Sequence, residues 1–339
     1  MVKQQRAVVT GAAGFLGGEI VRHLLSEGWA VATIGHGRPA LPVSAAIEAD
    51  VSAPALLELL KSFREPDLLV HAAGTSTVGA AAQNAAHEFG RTVGTMREVL
   101  TGLREAAPDT ALLYPSSVAV YGNTGLAGAS ETDPCRPMSR YAEHKLAAER
   151  LCLEANAQFG LRCVILRYGS VYGPGLRKQL FWDLACRLGR GERRLVLSGT
   201  GEETRDFLEA SDAARLAILA YRVVGRMPLM LNAGTGVATP IRAAAELFAA
   251  AWHPGTPIVF DQSVRPSDPM HLRMRTDRAK ALGFRPHRSL AEGIPSYVAW
   301  ARKVVESCRT SRDDGAPGAS FDRCCADGAP PGPAKANQT

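Results

Sequence analysis

Apolar, β-rich runs alternate with amphipathic stretches of helical length through the first half of the chain, and this alternation restricts the fold more than any other property of the sequence. Residues 6–10 (RAVVT), 30–34 (AVATI), 67–71 (DLLVH), 110–114 (TALLY) and 162–166 (RCVIL) are predicted strands, and 15–27, 53–64, 81–107 and 140–159 are predicted helices. Strands that read as continuous apolar runs are buried on both faces, and the intervening helices supply the cover. The expected fold class is therefore α/β, a doubly wound parallel sheet. After about residue 175 the alternation loosens: helical segments at 177–190, 211–224, 240–252 and 290–305 are separated by short strands near 195–197, 205–209, 229–232 and 257–260. We expect one domain over 1–175, a smaller C-terminal α/β lobe over 176–306, and a disordered tail over 307–339. The tail is rich in Gly, Pro, Ala and Asp and has too few large apolar residues to bury.

The composition suits a globular enzyme, with 339 residues of which 46% are hydrophobic and 21% charged. A chain of this length buries a sizeable core without metal or disulfide staples. Its 39 basic and 33 acidic residues give a net charge of +6, but no block of Lys and Arg marks a nucleic-acid partner. Scattered arginines are better used to hold phosphates. The seven cysteines (135, 152, 163, 186, 308, 324, 325) show no metal-ligand spacing, so no metal is expected and they read as reduced cytosolic thiols. No apolar run reaches transmembrane length, and glycines interrupt the basic-then-apolar N-terminal stretch that a signal peptide would need unbroken. A cytoplasmic protein with no membrane partner is expected.

Those glycines have a positive use. Gly11-Ala12-Ala13-Gly14-Phe15-Leu16-Gly17 follows the first strand and opens the first helix. Glycines there permit a tight turn and let the backbone approach a dinucleotide pyrophosphate, which then sits on the helix N-terminus. The end of the second strand selects the cofactor. NAD-selective sites place a carboxylate there for the ribose 2′-hydroxyl. This chain instead reads Ile34-Gly35-His36-Gly37-Arg38. Arg38, helped by His36, would attract a 2′-phosphate, so NADP(H) is preferred and NAD(H) is the alternative. Without that role, the two residues belong to an ordinary solvated loop. Asp50 and Val51 end the third strand, where they either touch the adenine or form a surface turn.

The chemistry centres on Tyr141-Ala142-Glu143-His144-Lys145, whose Tyr and Lys lie one helical turn apart on one face. A cation there favours the phenolate and brings the Tyr toward the range of a general acid or base. Upstream, Ser116-Ser117-Val118-Ala119-Val120-Tyr121-Gly122 ends a predicted strand, where an open α/β sheet presents its chemistry. Ser117 can hydrogen-bond the substrate oxygen on which Tyr141 acts. Together with HAAG (71–74), RYGSVYGPG (167–175), RDFLEASDAAR (205–215), NAGTG (232–236) and DRAKALGFRP (277–286), these motifs resemble the extended short-chain dehydrogenases/reductases, in particular their nucleotide-sugar epimerase/dehydratase family. The resemblance runs from Thr10 to about Pro286.

The resemblance implies a Rossmann domain carrying the catalytic residues and a substrate-binding C-terminal lobe. It makes Tyr141 the acid/base and Lys145 its partner, which also bonds the nicotinamide ribose. Ser117 polarises the reacting oxygen, and Ala72, Ala73 and Gly74 line the cofactor. Arg205 matches an arginine that contacts the substrate diphosphate, Arg265 and Asp268 resemble a pair that holds the nucleotide end, and Ser170 stands where the family commonly has Asn. On residue type alone, Arg205 and Arg265 read as surface arginines. His71 and His144 read as structural. Dehydratases of the family carry Asp-Glu directly after the catalytic hydroxyl residue, whereas this chain has Val118-Ala119, which leaves elimination without its acid and base. Arg91 replaces another family Asn. The leading expectation is an NADP(H)-linked 4-keto reductase or 4-dehydrogenase of a nucleotide-activated sugar. A 4-epimerase with tightly bound NAD and a reductase of small carbonyl compounds are the alternatives. Family members commonly dimerise through two long helices, here 84–107 and 140–158, so a homodimer is implied.

Overall fold

A computed structural model describes residues 3–37, 39–74, 84–263 and 268–310. The expectations placed on Arg38, Arg265 and residues 311–339 lie outside the described residues. The described residues divide into two compact units: those within 3–171, 204–238 and 268–287 form the first, and those within 172–203, 239–263 and 288–310 the second.

The first unit is built on seven strands: β1 (Arg6–Thr10), β2 (Ala30–Ile34), β3 (Ala45–Ile47), β4 (Leu68–His71), β5 (Ala111–Ser117), β6 (Cys163–Tyr168) and, after four short strands, β11 (Leu229–Ala233). They form one sheet in the order β11-β6-β5-β4-β1-β2-β3, with every pairing parallel. This is the doubly wound arrangement expected from the alternation of the sequence. Period-two alternation sorts the strand residues between two cores. Ala7, Val9, Val31, Leu68 and Val70 pack under α1 (Phe15–Ser26) and the helix Ala210–Val223. Val8, Ala32, Leu69 and Leu112 face α2 (Ala53–Ser62), α4 (Thr95–Ala106) and α5 (Arg140–Phe159) on the other side.

Three expectations are corrected here. Residues 229–232, read as a short strand of the smaller lobe, belong to β11, which extends the main sheet beside β6, with Leu231 against Leu166 and Asn232 against Arg167. The third strand ends at Ile47, so Asp50 lies in the loop before α2 and not at the strand end. The helix expected over 81–107 is, where described, a short α3 (Ala85–Phe89), a π-turn (Gly90–Gly94) and α4. Glycine at both ends of the π-turn permits this change of pitch.

The second unit has an aromatic core. Phe181, on the helix Gln179–Gly189, stacks on Phe248 at 5.7 Å and meets Tyr297 at 5.9 Å. The Tyr297 hydroxyl donates to the Leu176 carbonyl at 2.6 Å. The last helix runs Leu290–Thr310, past the boundary expected at 307. Cys135, Cys152, Cys163 and Cys186 are free thiols, but Cys308 is disulfide-bonded, against the expectation of reduced cysteines throughout. No helix among the described residues is long and apolar enough to cross a membrane, and no group of three metal-ligating side chains occurs among them.

His71, at the end of β4, ties three elements together. Its Nδ1 lies 2.8 Å from Thr10 Oγ1 and its Nε2 3.3 Å from Thr95 Oγ1. Thr95 already donates to the Arg91 carbonyl at 2.7 Å. Nε2–H must therefore donate to Thr95, while Nδ1 accepts from Thr10. This is one neutral tautomer. Burial, reinforced by the nearby Lys145 charge, pushes the His71 pKa down to about 3. An unfolded chain takes up this proton below the ordinary value of 6.5 and the folded one does not, so acid draws the protein toward the unfolded state. We expect urea-unfolding stability to be full above pH 6.5 and to fall toward pH 3, by up to about 1.4 kcal/mol per pH unit from this group. His71→Gln should flatten that slope, and equal slopes in the two proteins would contradict the assignment.

Candidate active site

The turn after β1 is shaped by close approach of backbone to backbone. Gly11 has φ +70°, and its amide donates to the Ile34 carbonyl at 3.0 Å. A Cβ at position 11 would stand 2.7 Å from the Ala73 nitrogen, and one at position 17 would stand 2.3 Å from the Gly11 oxygen. The first turn of α1 holds no acidic residue, and its N-cap Gly14 has no side chain to bond its amides. Such a helix end is complementary to an anion, and the bare turn gives a pyrophosphate room to approach. Ala72, Ala73 and Gly74 follow β4 beside this turn, with the Ala73 amide on Thr10 Oγ1 at 3.2 Å. Phe15 and Leu16 are half-buried at the helix start. These residues fit a bound dinucleotide.

His36 Nε2 is 2.7 Å from the Asp50 carboxylate, so two of the residues expected near the adenosine are brought together in an exposed pair. Val51 is buried in the core beneath the sheet and does not line an open surface turn.

At the end of β5, Ser117 caps the 3₁₀ turn Val118–Tyr121, and its Oγ accepts the Ala119 amide at 3.2 Å. With a lone pair so used, the hydroxyl proton is directed elsewhere, and the Ser117 hydroxyl lies beside the Tyr141 side chain. Tyr141 stands on the first turn of α5, which Ser139 caps through the Ala142 amide. One turn on, Lys145 Nζ donates to the Pro115 carbonyl at 3.0 Å, and it lies 4.9 Å from the Tyr114 ring centre and 5.9 Å from that of Tyr141. The sequence-predicted triad is therefore assembled. Burial raises the Tyr141 pKa, and the neighbouring Ser117 hydroxyl works against that rise. The phenol is thus held in its protonated, acid form.

Ser170 is half-buried, and its amide donates to the Asp206 carbonyl at 2.7 Å. Arg205 Nη2 pairs with Asp268 at 2.5 Å, while Nη1 donates to the carbonyls of Thr204 and Pro269, each at 2.9 Å. Asp268, which the resemblance places with Arg265 at the nucleotide end of the substrate, is bound to Arg205. His144 contacts the buried Glu88 carboxylate, as befits a structural residue. The sequence reading missed the buried pair Glu149–Arg167 and the buried Asp206. Asp206 accepts the amides of Thr235 and Gly236 and the Thr235 hydroxyl. A signal was present for the pair: Arg167 interrupts an otherwise apolar strand, and Glu149 follows Lys145 by four residues.

The model of the family described as "NAD dependent epimerase/dehydratase family" matches residues 7–234. The UDP-glucose 4-epimerase of Azospirillum brasilense is 28% identical, with 94% of this chain and 97% of the relative covered. The dTDP-D-glucose 4,6-dehydratase of Bos taurus is 27% identical over 76% of this chain and 74% of its own. Among solved structures, the UDP-glucose 4-epimerase of Thermus thermophilus in complex with NAD superposes with a TM-score of 0.80 at 27% identity, covering 88% of this chain and 99% of that one. A glycine turn for a dinucleotide, a Ser–Tyr–Lys set at the C-terminal end of a central strand and a family match over about two thirds of the chain agree: the chain belongs to the NAD dependent epimerase/dehydratase family, enzymes of the extended short-chain dehydrogenase/reductase type.

Proposed function

We propose that this protein is a nucleotide-sugar 4-epimerase that retains NAD. The observation that carries the reading is a complete Ser117–Tyr141–Lys145 set followed by two residues unable to transfer a proton. Val118 is packed with Val120, Tyr121, Ala129 and Met274, and the Ala119 amide is committed to Ser117. Elimination of water needs an acid and a base beside the sugar, and neither position supplies one. What remains is oxidation at one carbon and its reversal. The near full-length match to a UDP-glucose 4-epimerase supports the same reading.

In this mechanism the turn from Gly11 to Gly17, the α1 N-terminus and residues 72–74 hold the dinucleotide, with Asp50 and His36 at its adenosine end. Bound NAD supplies a reversible acceptor for the C4 hydride. With Lys145 favouring its ionisation, Tyr141 first releases its phenolic proton to solvent; the phenolate then takes the proton of the sugar 4-hydroxyl as that hydride leaves and returns it when the hydride comes back to the other face. The Ser117 hydroxyl donates to the same oxygen. The Lys145 ammonium, fixed on the Pro115 carbonyl, favours the phenolate in the step where Tyr141 gives up its proton. Arg205 would meet the substrate diphosphate, exchanging Asp268 for a phosphate oxygen.

The second reading is the NADP(H)-linked 4-keto reductase, which Arg38 would favour. Against it, Asp50 places a carboxylate on His36, where a 2′-phosphate would be repelled. A reductase of small carbonyl compounds would leave Arg205 without a diphosphate to bind. We further infer a homodimer through residues 84–107 and 140–158, where Phe89 and Leu153 are apolar and exposed. Light scattering should return twice the chain mass, and a monomer would oppose the inference.

Purified protein should carry NAD and interconvert a UDP-hexose with its 4-epimer without added cofactor. Tyr141→Phe should remain folded, keep its nucleotide and lose about 10²–10⁴-fold in kcat. An empty site that takes up NADPH far more tightly than NADH would favour the reductase. Arg205→Ala should raise KM for the UDP-sugar by about tenfold or more with a smaller change in kcat. An unchanged KM would remove the diphosphate from the proposed substrate contacts.

A further inference from the structure

Behind the Ser–Tyr–Lys set lies a buried polar cluster that the proposed chemistry does not use. Glu149 is on α5, one turn beyond Lys145 and two beyond Tyr141, so the three share a face. Its side chain is 1% exposed. Oε1 accepts the Ser116 hydroxyl at 2.5 Å and Arg167 Nε at 3.0 Å, and Oε2 accepts Arg167 Nη2 at 2.7 Å. Ser116 and Arg167 are partners across the parallel β5–β6 ladder. One carboxylate thus gathers α5, β5 and β6 at a single point. The other face of the Arg167 guanidinium lies 4.6 Å from the Tyr121 ring centre, and the Tyr121 hydroxyl donates to Asn232 on β11 at 2.7 Å.

The placement of these ties bears on the reacting groups. Ser116 is the immediate neighbour of Ser117, and in a strand adjacent side chains point to opposite faces. Fixing the Ser116 side chain on Glu149 therefore fixes the direction in which Ser117 leaves the strand. The same residue fixes the phase of α5, which decides where Tyr141 stands relative to Ser117. The bond from Lys145 to the Pro115 carbonyl is a second tie between the same helix and strand, one turn nearer the site. Two ties on one helix face set both its depth and its rotation. A buried ion pair of this kind is weak evidence for stability, since burial of both charges offsets their attraction. Its better-supported use is to specify one arrangement.

We propose that Glu149, with Ser116 and Arg167, is the positioning residue that aligns Tyr141 with Ser117 and keeps the charge beneath them balanced. The proposal rests on the acid/base role of Tyr141 in the epimerase reading. Tyr141 is faced by Ser117 and Tyr114 from β5, by Lys145 from its own helix and by the neutral His71 beyond Tyr114. The Glu149–Arg167 pair adds no net charge to this set. Removing the carboxylate charge alone leaves the Arg167 guanidinium uncompensated on the strand beside the helix, and an unpaired cation near Tyr141 favours the phenolate.

The test uses the protein with its bound nucleotide and compares the alkaline ultraviolet titration of each variant with that of its Tyr141→Phe counterpart. This readout needs no sugar substrate. Glu149→Gln should move the Tyr141 midpoint down by about one pH unit. Ser116→Ala should leave the midpoint in place and lower kcat for the UDP-sugar by about tenfold with KM unchanged. In Glu149→Gln with Arg167→Gln the charges balance again, so the midpoint should return while kcat stays low. A purely structural pair would change thermal stability in all three without the moved and restored midpoint. An unmoved midpoint in folded Glu149→Gln overturns the proposal, as does full kcat in Ser116→Ala and the double variant. If Glu149→Gln does not fold, the other two decide by kcat and KM. A moved and restored midpoint in a protein inactive on every nucleotide sugar upholds the alignment and defeats the epimerase reading instead.

Discussion

The approach of the backbone at Gly11 to the end of β4 is the constraint on which the reactive edge of this protein depends. The Ala73 nitrogen lies where a side chain at position 11 would begin, and the Ile34 carbonyl accepts the Gly11 amide. The ends of β1, β2 and β4 therefore meet at one residue with no side chain between them. Thr10, the residue before it, takes the Ala73 amide and meets the His71 ring, which in turn reaches Thr95 on α4. From His71 the chain of contacts continues through the stacked Tyr114 ring to the Lys145 ammonium. The turn for the cofactor and the groups for proton transfer are thus parts of one packed edge.

The electrostatics of that edge are decided by competition. Opposite charge from Lys145 favours a phenolate, and burial favours a phenol. For Tyr141 burial prevails over the opposing contact with Ser117, and Lys145, on the Pro115 carbonyl, stands nearly 6 Å from the ring centre. For His71 both influences act in the same direction, and the ring stays neutral. A neutral histidine beneath a cationic lysine avoids two like charges in a dry site, and it leaves the lysine as the local cation.

Local pattern made much of this legible. The five strands of the first half, the glycine turn, the strand-end Ser117 and the i, i+4 Tyr141–Lys145 pair could all be read from residue type and spacing. What could not be read depends on residues distant in the chain. Nothing near 229–233 says that the strand crosses back to pair with β6, because its partner lies more than sixty residues earlier. Asp50 reads as a strand end or a surface turn until the fold brings His36 against it. Arg205 and Asp268 are 63 residues apart, and their pairing is invisible to any local pattern. Glu149 and Arg167 leave only the faint mark of charges in apolar surroundings.

The path of the chain has a consequence for how such a protein can be divided. Each compact unit is assembled from three separate stretches, and the chain passes back and forth between them. A cut near residue 175, the boundary the sequence suggests, would remove β11 from the sheet and expose the paired edge of β6. It would also strip Asn232 from the Tyr121 hydroxyl. Neither unit can therefore be inherited or exchanged as a single contiguous block of coding sequence. Recombination that swaps the second unit among relatives must preserve several junctions at once, which favours change by point substitution within that unit over wholesale replacement.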